Sequence, residues 1–285
     1  MPVPLGKMKT KLNIPTVLLA LSGFIVVQAA TAQAPNPAKG EAKTTEPKFV
    51  YFKGSFTKFH PGKREEAINL IYNRFWTVDQ VVGRKPIPFE LLTGEWDHMV
   101  FFRLHGGLAE IELKKAAMQA KWDRQLEKQE GGPEKAKALH DHHDSLVMKR
   151  GGGLFKVPAA DVDFPDYYYN KGGKPTYYRV NFVKYKSGKK EQAIDFLLGK
   201  YRPVRLAIER AVIPMVSVAG GWDRIVFISL PGGLGDLESD SLSEAWQEEL
   251  AKQQGGREKA AEVRNYYNGL VQDRVTEIAE GRWKK

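Results

Sequence analysis

Tyr51-Phe52-Lys53-Gly54-Ser55-Phe56-Thr57-Lys58-Phe59 and Tyr177-Tyr178-Arg179-Val180-Asn181-Phe182-Val183-Lys184-Tyr185 decide how this chain folds. Each segment alternates its side chains with a period of two, the pattern of a strand with two different faces. They lie 126 residues apart, and the same spacing joins Gly62 to Gly188, Arg84 to Arg210, Trp96-Asp97 to Trp222-Asp223 and Gly106-Gly107-Leu108 to Gly232-Gly233-Leu234. After a slip of two residues, Trp122, Gly131-Gly132, Glu134-Lys135-Ala136 and Arg150 recur as Trp246, Gly255-Gly256, Glu258-Lys259-Ala260 and Arg274. The spacing predicts one folding unit present twice in tandem, because two copies are too few for a solenoid.

Each copy reads in one order. After the first strand, Gly62 or Gly188 turns the chain into a helical stretch, 63–82 or 189–212, the second kinked at Pro203. Two apolar strands follow, 87–93 with 97–104 and 213–219 with 223–230, joined by glycine turns. Helices 116–130 and 242–254 end in Gly-Gly, and Pro133 or Arg257 begins another, reaching about 148 or 272. A short last strand is expected at 154–157 and 275–279, although Val271, Val275 and Ile278 also fit a continuing helix. The order β-α-β-β-α-β is the split βαβ, or ferredoxin-like, arrangement, whose sheet leaves one face in need of a partner. Two such sheets in one chain can cover each other.

The fold class is therefore α+β: two tandem ferredoxin-like repeats forming an intramolecular α/β barrel. The expected domains are a signal peptide at 1–32, a disordered lead at 33–47, a first repeat at 48–157, a linker at 158–175 and a second repeat at 176–285. The element order, with Gly-x-Trp-Asp in each hairpin, resembles the dimeric α/β-barrel superfamily and its antibiotic-biosynthesis-monooxygenase-like and NIPSNAP-like members. The resemblance implies a fold, and for activity implies cofactor-independent oxygenation or haem-linked chemistry in the barrel interior. No motif permits a residue-by-residue transfer of catalytic roles.

The N-terminus has its own logic. Lys7, Lys9 and Lys11 precede the apolar stretch Ile14–Val27, and Ala30-Thr31-Ala32 follows, which predicts export and cleavage before Gln33. Either Met1 or Met8 serves as the start. The expected compartment is the periplasm or the exterior. With 44 Lys and Arg against 34 Asp and Glu the chain carries +10, and subtracting the three leader lysines leaves +7 on the mature part. The charges are interspersed with acids, as in Lys63-Arg64-Glu65-Glu66, a pattern of solvated helix faces that argues against nucleic acid and allows a small anion. The absence of cysteine closes disulfides, thiolate metal sites and lipid anchoring. No later apolar run spans a bilayer, and paired halves make a monomer reasonable.

Two places draw attention as sites. Alternation puts Tyr51, Lys53, Ser55 and Phe59 on one face of the first strand and Tyr177, Arg179, Asn181 and Tyr185 on the matching face of the second copy. Turned inward with Arg103, these would line a pocket for a small anionic or aromatic molecule, or else form a hydrogen-bonded interface between the halves. All six histidines lie in the first copy, and His140, His143 and Asp144 share one helical face that could bind a divalent metal or haem iron. Neither cofactor is required. An exposed polar helix face is the alternative. Three functions are consistent with these features: a small-molecule-binding or interaction protein using the barrel interior, an oxygenase or haem- or metal-linked enzyme, and a structural or stress-related envelope protein without ligand.

Overall fold

A computed structural model of the chain describes residues 49–113, 115–161, 176–239 and 241–281. The expected signal peptide, the lead and most of the linker lie outside them. Among the described residues no helix is long and apolar enough to cross a membrane.

The first half runs β1 (Phe49–Phe59), α1 (Arg64–Leu70), a π-helical turn (Ile71–Phe75), α2 (Trp76–Val82), β2 (Ile87–Leu91), β3 (His98–Leu104), α3 (Ala109–Leu113), α4 (Lys115–Glu130), α5 (Pro133–Leu146) and β4 (Val147–Pro158). The second runs β5 (Thr176–Tyr185), α6 (Lys190–Phe196), a π turn (Leu197–Tyr201), α7 (Arg202–Ala207), β6 (Val212–Ala219), β7 (Arg224–Leu230), α8 (Ser241–Gln254), α9 (Arg257–Leu270) and β8 (Val271–Gly281). All the strand pairings are antiparallel, and the eight strands close in the order β1-β3-β2-β8-β5-β7-β6-β4. This is the dimeric α/β-barrel architecture within one chain.

The expected elements are present, with informative shifts. Both last strands begin directly after the preceding helix, so β4 and β8 are far longer than four or five residues. The alternative of a continuing helix at Val271 is overturned, because Tyr185 pairs with Val271 and Phe182 with Val275. Pro203 sits at the second position of α7, directly after a π turn that recurs in the first half without a proline. The glycines Gly151–Gly153, ahead of the expected strand at 154–157, lie inside β4.

The barrel interior corrects the expected inward face. Phe52, Phe56, Tyr178, Val180 and Phe182 point into the core with Phe89, Met99, Phe101, Phe155, Met215 and Phe227. At its centre the Phe89 and Phe227 rings stack with centroids 4.2 Å apart. An eight-stranded barrel is just wide enough to be filled by side chains, and filling it with large apolar ones removes the most hydrocarbon from water. Tyr51, Lys53, Ser55, Tyr177, Arg179 and Asn181 therefore take the outer face. Among the described residues the interior is a core of large apolar side chains, and the strand residues expected to line a pocket there face away from it.

Trp96 and Trp222 sit at the barrel ends, Trp96 against Phe56 and Trp222 against Phe182, each with centroids 5.8 Å apart. The aspartates beside them pin the neighbouring strand. Asp97 accepts the Phe59 amide at 2.8 Å and Asp223 the Tyr185 amide at 2.9 Å.

Candidate functional site

Because the apolar face of each sheet is spent on the barrel, any site must lie outside it, between sheet and helices. In the second half such a pocket of about 260 Å³ opens over the outer faces of β5, β6 and β7. Val183, Val212, Pro214, Val226 and Ile228 form its floor. The π turn supplies a wall by swinging Leu197, Leu198 and Tyr201 inward, and Trp246 of α8 and Tyr267 of α9 complete it. The rings interlock: Tyr201 meets Trp246 edge-on at 5.0 Å and Tyr267 at 5.3 Å.

Among the described residues five arginines converge on this small space, Arg202 and Arg205 from α7, Arg210 before β6, Arg224 opening β7 and Arg274 from β8, with one carboxylate, Asp161. Asp161 follows the end of β4 and its side chain is only 2% exposed. Arg202 donates through Nε to both its oxygens, at 3.1 and 3.2 Å, and Arg205 bonds it through Nη2. Arg205 also donates to the Val212 carbonyl at 2.9 Å, which fixes its fork. Arg274 lies over the Tyr267 ring, 5.7 Å from its centre. Among the described residues neither Arg224 nor Arg274 has a carboxylate within ion-pair distance. Burial, then the neighbouring Arg179, lowers the Arg210 guanidinium below its usual value, evidence of crowded positive charge.

The phenols are donors here. Burial raises Tyr185 and Tyr201 above the ordinary tyrosine range, so both stay protonated at neutral pH. The Tyr185 and Tyr267 hydroxyls lie 3.4 Å apart. The pocket thus offers guanidinium forks and aromatic walls. Among the described lining residues the one carboxylate, Asp161, is held between two arginines, and none is a histidine. A haem does not fit this donor set either, since the described lining residues include no imidazole and burial keeps the Tyr201 phenol protonated.

At the same structural positions the first half is closed. The residue that follows the π turn is Trp76 rather than Arg202, and His98 rather than Arg224 opens the strand. Trp76 and Tyr72 are buried with Phe59, Ile68 and Leu146. His98 is 3% exposed, and burial holds its imidazole neutral with a pKa of about 4. Three residues beyond Trp76, where α7 has Arg205, stands Asp79, which accepts the Trp122 indole N–H at 2.9 Å and pairs with Arg84 at 3.3 Å.

Of the residues expected to bind ligand, only Asn181 lines the arginine pocket, and its Oδ1 accepts from the Thr276 hydroxyl at 2.8 Å. Arg179 lies close enough to depress Arg210, while Tyr51 and Tyr177 line neither of the two cavities described here. Lys53, Ser55 and Arg103 line a separate cavity in the first half. His140, His143 and Asp144 are not assembled as metal ligands, and among the described residues no group of three or more such side chains is. His140 stacks on Phe75 at 5.5 Å, His143 meets Phe75 edge-on at 5.2 Å, and Asp144 bonds Arg150. Ring packing on the helix face has taken those imidazoles.

No protein-family model and no curated protein matches the chain. Solved structures of similar shape do exist. One is a provisionally named monooxygenase of Lactobacillus acidophilus, 11% identical, with 82% of this chain covering 93% of that one at a TM-score of 0.41. Another is an anthrone oxidase-like protein, 12% identical over 83% and 92% of the two chains, with a TM-score of 0.41. A third is a provisionally named chlorite dismutase, 10% identical over 83% and 95%, with a TM-score of 0.42. Likeness at this level assigns this chain no family and no activity.

Proposed function

We propose that the protein is an exported, monomeric receptor for a small anionic molecule with an aromatic or other flat body, built from two copies of one α+β unit. Its site is the arginine pocket of the second half. The carrying observation is the convergence of Arg202, Arg205, Arg224 and Arg274 on a space of about 260 Å³ in which, among the described residues, Asp161 is the one carboxylate. Planar forks match carboxylate or phosphate oxygens, and the walls of Tyr201, Trp246 and Tyr267 suit a ring. Binding is favoured over catalysis because, among the described residues, the pocket is lined by guanidinium forks, rings and one carboxylate already held between two arginines. Export rests on the leader pattern, and the monomer on the closed barrel, which among the described residues leaves no sheet edge open.

Benzoate tests the proposal, because Trp246 reports on the pocket by fluorescence. Saturable quenching is expected, weakening with added salt. Arg224→Ala and Arg274→Ala should each weaken binding about tenfold, the order of one charge-assisted hydrogen bond. A protein that binds neither benzoate nor inorganic phosphate up to tens of millimolar would sink the proposal.

A further inference from the structure

Barrel closure leaves a second feature, in the first half. At the seam where β4 meets β6, Leu154 pairs with Ala219. A Cβ on Gly153 would stand 2.4 Å from the Ala219 carbonyl oxygen, and one on Gly152 2.3 Å from that of Gly54. Only glycine lets these strands approach so closely. At the other seam β8 carries Val275, Thr276 and Glu277 at the positions that Gly151, Gly152 and Gly153 hold in β4, counted from each strand's start. Gly152 leaves the outer sheet surface bare, while the absent side chains of Gly151 and Gly153 would point at Trp96 and Phe155 of the core, and a cavity of about 820 Å³ lies over that outer surface, within the range of small-molecule sites. Val100, Phe102 and Met118 give it an apolar wall, and Met118 is 39% exposed. Lys85, Arg103 and His105 stand on its rim, and none of them has an ion-pair partner among the described residues.

We infer that this cavity is a second ligand site, taking an amphipathic anion, a medium-chain carboxylate by its chemistry, with the chain on the bare sheet and the head group at the cationic rim. It differs from the arginine pocket in being three times as large and apolar-walled, and it uses both halves, since Ala219 and Gly220 come from β6 and the turn after it. The site stands on residues that the arginine pocket does not use, so either can fail without the other.

The test is calorimetric titration of the full chain with decanoate. The wild-type protein should bind one equivalent at this site, and Arg224→Ala should leave that affinity unchanged. Ser55→Trp, which fills the cavity from the outer face of β1, should weaken binding at least about tenfold, and Arg103→Glu, a surface change that leaves packing alone, about fivefold. No decanoate binding, equal binding by wild type and both variants, or binding lost only in Arg224→Ala would each overturn the inference.

Discussion

Replacing Asp161 by asparagine removes one negative charge from the arginine pocket at almost constant volume. Asp161 lies 3.1 Å from Arg202 Nε and also bonds Arg205, so it occupies part of the field that an incoming anion needs. At an effective dielectric constant near 20, two unit charges about 5 Å apart interact by roughly 3 kcal/mol. Arg202 is 30% exposed, and solvent screening there cuts the figure by about half. The substitution should therefore tighten benzoate binding about tenfold, or roughly 1.4 kcal/mol. It should also destabilise the fold by about 1–3 kcal/mol, because Arg205, 12% exposed, loses its carboxylate. Since the ligand restores a counter-charge, saturating benzoate should raise the melting temperature of the variant more than that of the wild type. Trp fluorescence titration and thermal melts at pH 7 measure both. An unchanged or weaker affinity in a variant with wild-type circular dichroism would refute the reasoning, placing the anion elsewhere.

Other predictions follow from the same coordinates. Gly153→Ala should destabilise by about 2–4 kcal/mol, as its Cβ meets backbone rather than a movable side chain; a loss under about 0.5 kcal/mol in urea melts would mean that the seam is looser than described. Phe227→Ala, removing the ring stacked on Phe89 in the filled core, should cost about 3–5 kcal/mol, and near-neutrality would argue against a packed interior. Burial pushes the Asp79 carboxyl up to about 6, above its unfolded value near 3.9, so its protonated form is the one the fold favours. Its contribution is full below about pH 4 and lost as pH rises through 6, up to roughly 3 kcal/mol at 1.36 kcal/mol per unit. The stability difference between wild type and Asp79→Asn should thus shift against the wild type over that window; a constant difference, or a shift toward the wild type, would contradict it.

Much of the barrel was legible before any coordinates, because Trp96-Asp97 and Trp222-Asp223 mark equivalent hairpins and the glycine pairs mark helix ends. The facing of β1 was not. Alternation separates Phe52 and Phe56 from Lys53 and Ser55 but cannot say which set meets the other sheet; closure into a filled barrel decides that. The π turns carry no sequence mark, and Gly151–Gly153 become intelligible only once β4 is seen to cross β6. The arginine pocket was half visible. Its residues come from separate elements with no motif, yet at the spacing of 126 Trp76 faces Arg202, Asp79 faces Arg205 and His98 faces Arg224. Changes of chemical class at otherwise matching positions were the available signal.

The most direct measurement is a crystal soaked in sodium selenate, with anomalous diffraction collected at the selenium edge. A peak within hydrogen-bond reach of Arg224 or Arg274, beneath Trp246 and absent from the barrel core, is the predicted result. Well-ordered pocket arginines without selenate, in a crystal that takes it up elsewhere, would contradict an anion site in the second half.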